Sequence, residues 1–340
     1  MKVLLTGSEG YIGTRLVQVL LKNGFDVTGL DTGYYAEGHM YDLKGTEYSL
    51  IKKDVRDIET QDLIGFDAVV HLAELSNDPL GQNDPELTFE INNRGTVKLA
   101  EAAKAAGVKR FVYFSSCSIY GASENVSDES TNPNPLTAYA KSKVMNEATL
   151  QKMADDSFSP TIFRNATVFG ASPRMRFDLV VNDLAASAHV NNLIKMSSDG
   201  TPWRPFVHIE DVSKAVVMTL QAPAEQVHNK LFNVGSNDNN YQVRNIATII
   251  ASVFPGCTTE FGDSTGDKRN YRVKFDKIQE VLPGFTCEWD VKRGAEELKQ
   301  IFEDIKMDKE LYESRLYTRL KQIEYLKKEK KVNDHLIWTD

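Results

Sequence analysis

Tyr139 and Lys143 stand four residues apart in a stretch, Ala138 to Met153, that reads as a helix, so both side chains project from one face. An ammonium beside a phenol favours the phenolate, lowering a pKa that starts near ~10 toward the range of acid/base work. The spacing alone occurs often by chance. Ser116 gives it weight, because it follows the apolar run Phe111 to Phe114. A hydroxyl at a strand's carboxyl end can hydrogen-bond the oxygen whose proton Tyr139 handles. Ser116, Tyr139 and Lys143 together compose an alcohol/ketone site and are the candidate catalytic set.

A second constellation opens the chain. Gly7, Gly10 and Gly13, with Tyr11 and Ile12 between them, follow the apolar run Val3 to Leu5 and precede a helical pattern. Glycine at this spacing permits a tight turn and lets backbone approach a pyrophosphate held at a helix N-terminus, a variant of the dinucleotide fingerprint. A purely structural turn is the alternative reading. The next apolar run ends at Asp31, 18 residues past Gly13, close to the separation at which a carboxylate meets the adenosine ribose. A carboxylate there repels a 2′-phosphate, and Thr32, Gly33 and Tyr34 supply no compensating Arg, so NAD is favoured over NADP. An ordinary strand-end turn is the bland reading of Asp31.

These residues need elements to hold them. Short apolar runs at Val3 to Leu5, Val27 to Leu30, Ala68 to Leu72, Phe111 to Phe114 and Thr161 to Phe163 alternate with helical segments at Thr14 to Lys22, Gly95 to Ala106 and Ala138 to Met153. Such alternation predicts βαβ units and a parallel, doubly wound α/β sheet of Rossmann type. Ligands bind such a sheet outside the carboxyl ends of its strands, where Gly7, Asp31, Leu72 to Glu74, Ser116 and Thr167 each fall. Beyond about Thr167 the pattern loosens into a smaller C-terminal substrate-binding lobe. We divide the chain into a cofactor-binding part over 1–173 with a return segment near 206–236, a substrate lobe over 174–205 and 237–305, and a tail over 306–340. The tail reads as an exposed amphipathic helix, with a solvated or packing face as its simplest role.

Composition sets limits. The 340 residues carry a net charge of −8, which disfavours nucleic-acid binding. No apolar run approaches the ~18 residues of a membrane span, and the start MKVLLTG lacks a secretory pattern. Cys117, Cys257 and Cys287 are too few and too scattered for a disulfide framework or a zinc site, so a cytoplasmic location without a bound metal is expected. His71 and His208 lie in apolar surroundings and read as structural.

The motifs TGSEGYIG, KKDVRD, HLAE at 71–74, INNRGT at 91–96, FSSCSIYG at 114–121, YAKSK at 139–143 and FVHIEDV at 206–212 resemble, in order, those of the extended short-chain dehydrogenase/reductases. The resemblance is to their nucleotide-sugar epimerase and dehydratase group. It implies that Asp54 and Val55 approach the adenine, that Leu72 and Ala73 line the cofactor, and that Asn92 supports the site. It implies that Lys143 also holds the nicotinamide ribose. Similar enzymes form homodimers through helices that here are Gly95 to Ala106 and Ala138 to Met153. Residues 163–183 are similar to a branch containing NAD-dependent nucleotide-sugar 4-dehydrogenases and 4-epimerases, with Thr167 where many epimerases have Asn.

Sugar 4,6-dehydratases of the group carry an Asp-Glu pair directly after the catalytic hydroxyl residue, where this chain has Cys117 and Ser118. Dehydration is therefore demoted. The leading expectation is epimerisation of a nucleotide-diphosphate sugar through a keto intermediate, at C4, with a 4-dehydrogenase or ketoreductase as the alternative and a non-catalytic NAD-binding protein as the remote one. A diphosphate calls for Arg donors. Arg174, Arg176, Arg204 and Arg269 are candidates, joined by Cys117, Thr167 and Asn182 as substrate contacts.

Overall fold

The computed structural model describes residues 1–42, 46–76, 84–264 and 269–339. Its main sheet is parallel, with strands in the order Lys230–Val234, Ser159–Asn165, Arg110–Ser116, Ala68–His71, Lys2–Thr6, Asp26–Asp31, Ser49–Lys52. Successive residues on a strand face opposite sides, and the apolar runs supply both. Val3, Leu5, Val70, Val112 and Phe114 pack on one side with the Tyr11–Lys22 and Ile209–Gln221 helices. Leu4, Val69, Phe111, Tyr113 and Ile162 pack on the other with the helices Gly95–Ala105 and Ala138–Met153. Runs of continuous apolar character thus become the middle layer of a helix–sheet–helix sandwich. The outer strand Ser49–Lys52, half polar and largely exposed, carries too little apolar signal to be read from sequence.

A second core joins the helices Val180–Asn191, Val243–Val253 and Val291–Asp304. The middle one buries Ile246, Ala247, Ile250 and Val253, the 3–4 spacing of one helical face. Strand Trp203–His208 runs parallel to Thr167–Phe169 and antiparallel to Asn240–Gln242, which ties this lobe to the end of the large sheet.

The tail departs from expectation. Residues beyond Lys306 form the short helices Lys309–Glu313 and Arg319–Lys328 and then an irregular strand of chain. Ile323, Leu326, Val332 and Leu336 are buried against Tyr34, Leu75, Leu87 and Ile91 of the first half. The spaced apolar residues that suggested an exposed helix are the inner face of a strap laid across the large sheet's binding edge. Among the described residues no helix is long and apolar enough to cross a membrane.

Candidate active site

Strand Lys2–Thr6 ends at Gly7, whose φ of +75° side chains rarely adopt. A Cβ on Gly13 would stand 2.0 Å from the Gly7 carbonyl oxygen, so the loop and the helix that follows are drawn into backbone contact that only glycine allows. The Tyr11–Lys22 helix then begins with no capping side chain and no acidic residue in its first turn. Its first N–H groups have no intrahelical acceptor and Gly10 to Gly13 line a cavity, a cradle suited to a dinucleotide's pyrophosphate. Asp31 closes the next strand and accepts hydrogen bonds from the N–H groups of Gly33 (2.8 Å) and Glu9 (3.0 Å). Burial raises its carboxyl above the usual range, and these two bonds pull it back toward the ionised form that would meet a ribose.

Ser116 ends its strand and starts a turn, its hydroxyl accepting from the Ser118 N–H at 3.1 Å. Thr137 caps the Ala138–Met153 helix by accepting from the Ala140 N–H, which sets Tyr139 in the first turn. The Lys143 ammonium donates to the Phe114 carbonyl and lies 5.3 Å from the centre of the Tyr139 ring. It is also ion-paired to Glu74, with side chains only 5% and 2% exposed. Glu74 accepts in addition from the Tyr113 hydroxyl at 2.8 Å and, more loosely, from Thr96 at 3.3 Å and Asn146 at 3.4 Å. Burial pulls the lysine below its ordinary range and pushes the carboxyl above its own, while their pairing opposes both shifts. Glu74 closes HLAE three residues past a fully buried strand, and a carboxylate in that place is the signal for a buried partner.

One cavity gathers most of the expected residues. Gly7, Gly10, Tyr11, Ile12, Gly13, Asp31, Asp54, Val55, Leu72 and Ala73, expected at the cofactor, line it, as do Ser116, Tyr139, Lys143, Thr167, Arg176 and Arg269. The others stand behind its walls. Asn92 is fully buried and clamps Leu75 by bonds to its N–H and carbonyl, a supporting role. Asn182 accepts from the Gly170 N–H and donates to the Tyr11 hydroxyl at 3.2 Å, so it fixes the wall instead of touching a sugar. Cys117, expected as a substrate contact, is corrected: it is 1% exposed, its thiol donates to the Arg164 carbonyl, and burial raises it well above the usual range. Arg204, 8% exposed, is likewise turned inward, donating to the Trp203 and Arg269 carbonyls and packing over Tyr271. Arg174, 1% exposed, lies outside the lining as well.

Sequence reasoning did not anticipate Tyr34, Tyr35 and Arg319, which complete the cavity. Arg319 lies far along the chain from the two tyrosines, and no local pattern announces that meeting. His71 and His208 are satisfied structural groups. The first bonds Thr6 and Thr96, and the second bonds Glu297 and stacks on Trp289 at 4.1 Å.

The profile of the NAD dependent epimerase/dehydratase family matches residues 3–235. A UDP-glucose 4-epimerase of Lactobacillus helveticus is 30% identical over 69% of this chain and 77% of its own length. One from Bacillus subtilis (strain 168) is 26% identical over 88% of this chain and 94% of its own. Among solved structures, MoeE5 in complex with UDP-glucose and NAD superposes with a TM-score of 0.78 and 27% identity, covering 90% of this chain and 100% of MoeE5.

Proposed function

The chain belongs to the NAD dependent epimerase/dehydratase family, and from that premise we propose that it epimerises a UDP-hexose at C4 through a keto-sugar intermediate. The observation that carries the reading is the convergence of Ser116, Tyr139 and Lys143 with the Gly7–Gly13 loop on a single cavity. In this mechanism Tyr139 takes the proton of the C4 hydroxyl and later returns it to the same oxygen, while Ser116 hydrogen-bonds that oxygen throughout. Lys143 supplies positive charge beside the phenol and, through Phe114 and Glu74, is held at one place. NAD, which the Gly7–Gly13 loop and Asp31 would hold, would supply the hydride acceptor and donor for this oxidation and re-reduction at C4. Burial of the Cys117 thiol supports this over dehydration, since the position after the catalytic hydroxyl offers no acid.

The relatives named UDP-glucose 4-epimerase and the UDP-glucose complex of MoeE5 support UDP-glucose and UDP-galactose as the first substrates to test. Incubation with either should yield the other with no lasting change in nicotinamide absorbance and no need for added oxidant. Stoichiometric reduction of NAD would instead mark a net 4-dehydrogenase. Tyr139→Phe should lower turnover by at least ~100-fold, as removal of a positioned acid/base does.

A further inference from the structure

The wall of the cavity that the proposed reaction leaves without a task is made by the tail. Arg319 is 7% exposed and lines the cavity beside Asp31, Tyr34 and Tyr35. Its guanidinium stacks 3.7 Å from the Tyr35 ring centre, and among the described residues no carboxylate lies within ion-pair distance of it. Arg174 stands behind it, 1% exposed, and among the described residues none of its three guanidinium nitrogens has a hydrogen-bond partner. Burial, with repulsion from Arg319 at Arg174 and from Arg176 at Arg319, holds both arginines at about 10, still charged at neutral pH.

The neighbouring anions act on these charges without closing an ion pair with either among the described residues. Asp178 is taken by Arg176 in a two-pronged pair at 2.9 and 3.0 Å. The Asp31 carboxylate accepts from two backbone N–H groups, and Glu9 has its own carboxyl pushed up by burial and by Asp31. Buried cations without acceptors are costly unless something supplies the acceptors. Arg319, whose charge Asp31 also feels, lines the same cavity as the cradle at Gly10 to Gly13.

We propose that Arg319 contacts the cofactor's diphosphate, so that the tail supplies the cationic half of a site whose other half is the start of the Tyr11–Lys22 helix. The assignment rests on the dinucleotide occupying that cradle. A guanidinium offers paired N–H donors that match phosphate oxygens, and Arg174 adds like charge behind it without touching the ligand. The tail is tied down on both sides of the contact: before it the Phe177 N–H donates to the Tyr317 carbonyl at 2.9 Å, and three bonds follow it. Gln322 donates to the Tyr34 carbonyl at 2.9 Å, the Tyr34 hydroxyl donates to the Leu336 carbonyl, and the Trp338 indole donates to the Thr32 carbonyl at 2.7 Å. A diphosphate also occurs in a nucleotide sugar, for which the candidate donor is Arg269, whose carbonyl accepts from Arg204 in the wall shared with Tyr271. An epimerase must keep its reduced cofactor between two hydride transfers, and a strap anchored over the phosphates serves that need.

The test measures binding to the full chain without any sugar turnover, so its failure is separate from failure of the epimerase reading. Affinities for NADH, ADP-ribose, adenosine and UDP are compared for the parent, Arg319→Gln and Arg319→Lys. Arg319→Gln should weaken NADH and ADP-ribose at least ~10-fold and leave adenosine and UDP within about twofold, with Arg319→Lys recovering part of the loss. The loss should shrink in high salt. Unchanged NADH affinity in Arg319→Gln overturns the proposal, as does a loss shared equally by adenosine, or one confined to UDP. Should Arg319→Gln fail to fold, Arg319→Lys decides alone: a loss for ADP-ribose exceeding that for adenosine supports the contact, and equal affinities for both overturn it.

Discussion

Glu74→Gln leaves the Lys143 ammonium buried against the Phe114 carbonyl and the rings of Tyr113 and Tyr139, with only Glu147, itself paired with Arg164, still acting on it. Removing one partner of a buried ion pair costs ~3–5 kcal/mol, because the survivor is uncompensated. Gln still accepts from Tyr113, and the lysine, already pulled down by burial, can shed its proton, so the loss should lie near the lower bound, about 3 kcal/mol. Lys143→Met is milder. Glu74 keeps its contacts with Tyr113, Thr96 and Asn146, and burial already raises its carboxyl, so it protonates, and a loss of about 2 kcal/mol is expected. The double variant carries no lone charge and should lose about 3 kcal/mol in total, well short of the summed single effects. The coupling of about 2 kcal/mol is read from denaturant unfolding of nucleotide-free protein at neutral pH, followed by tryptophan fluorescence. If the two substitutions add to within about 0.5 kcal/mol, Glu74 is not the counter-charge of Lys143 and the pairing is refuted.

Burial and the nearby Lys143 hold His71 neutral in the fold down to about 3. The unfolded chain binds that proton below ~6.5, so stability present above ~6.5 is lost as pH falls toward the folded value, and His71 should account for about 2 kcal/mol of loss by pH 5. His71→Gln, compared with the parent at pH 7 and pH 5, should show a drop smaller by that amount, and an equal drop would remove His71 as the cause. Gly13→Ala places a methyl 2.0 Å from the Gly7 carbonyl oxygen. It should cost more than about 2 kcal/mol and abolish nucleotide retention, checked by melting temperature and by absorbance of the purified protein at 260 nm. Ser116→Ala should reduce epimerisation by ~100-fold while NADH affinity stays within about twofold, as the proposed contact of the hydroxyl with the sugar oxygen requires.

The strands of the central sheet were legible because each is buried on both faces and so appears as an unbroken apolar run, as in Ala68–His71 and Arg110–Ser116. The glycine loop, Asp31, Ser116, Tyr139 and Lys143 were legible because strand ends and helical spacing fix where such residues point. What stayed hidden depends on contacts between distant segments. Cys117 follows Ser116 directly, yet the turn that exposes one to the cavity buries the other against Arg164. Arg174 and Arg176 share a motif and part ways: Arg176 reaches the cavity and finds Asp178, while Arg174 is buried near Gly38 and Leu316. The polarity of Lys306–Trp338 spoke for solvent, and only Tyr34 and Leu75 reveal which of its residues are the inner face.

The strap has a consequence for how the protein is made. Residues 319–338 leave the ribosome after everything they touch, so during synthesis the glycine loop and Asp31 are available while the wall that faces them is still missing. Cofactor met at that stage would find an open shelf, and one met afterwards a closed slot. Tight retention of the nucleotide would thus mark a chain whose synthesis had run past Arg319, setting it apart from shorter nascent ones whose large sheet is already in place.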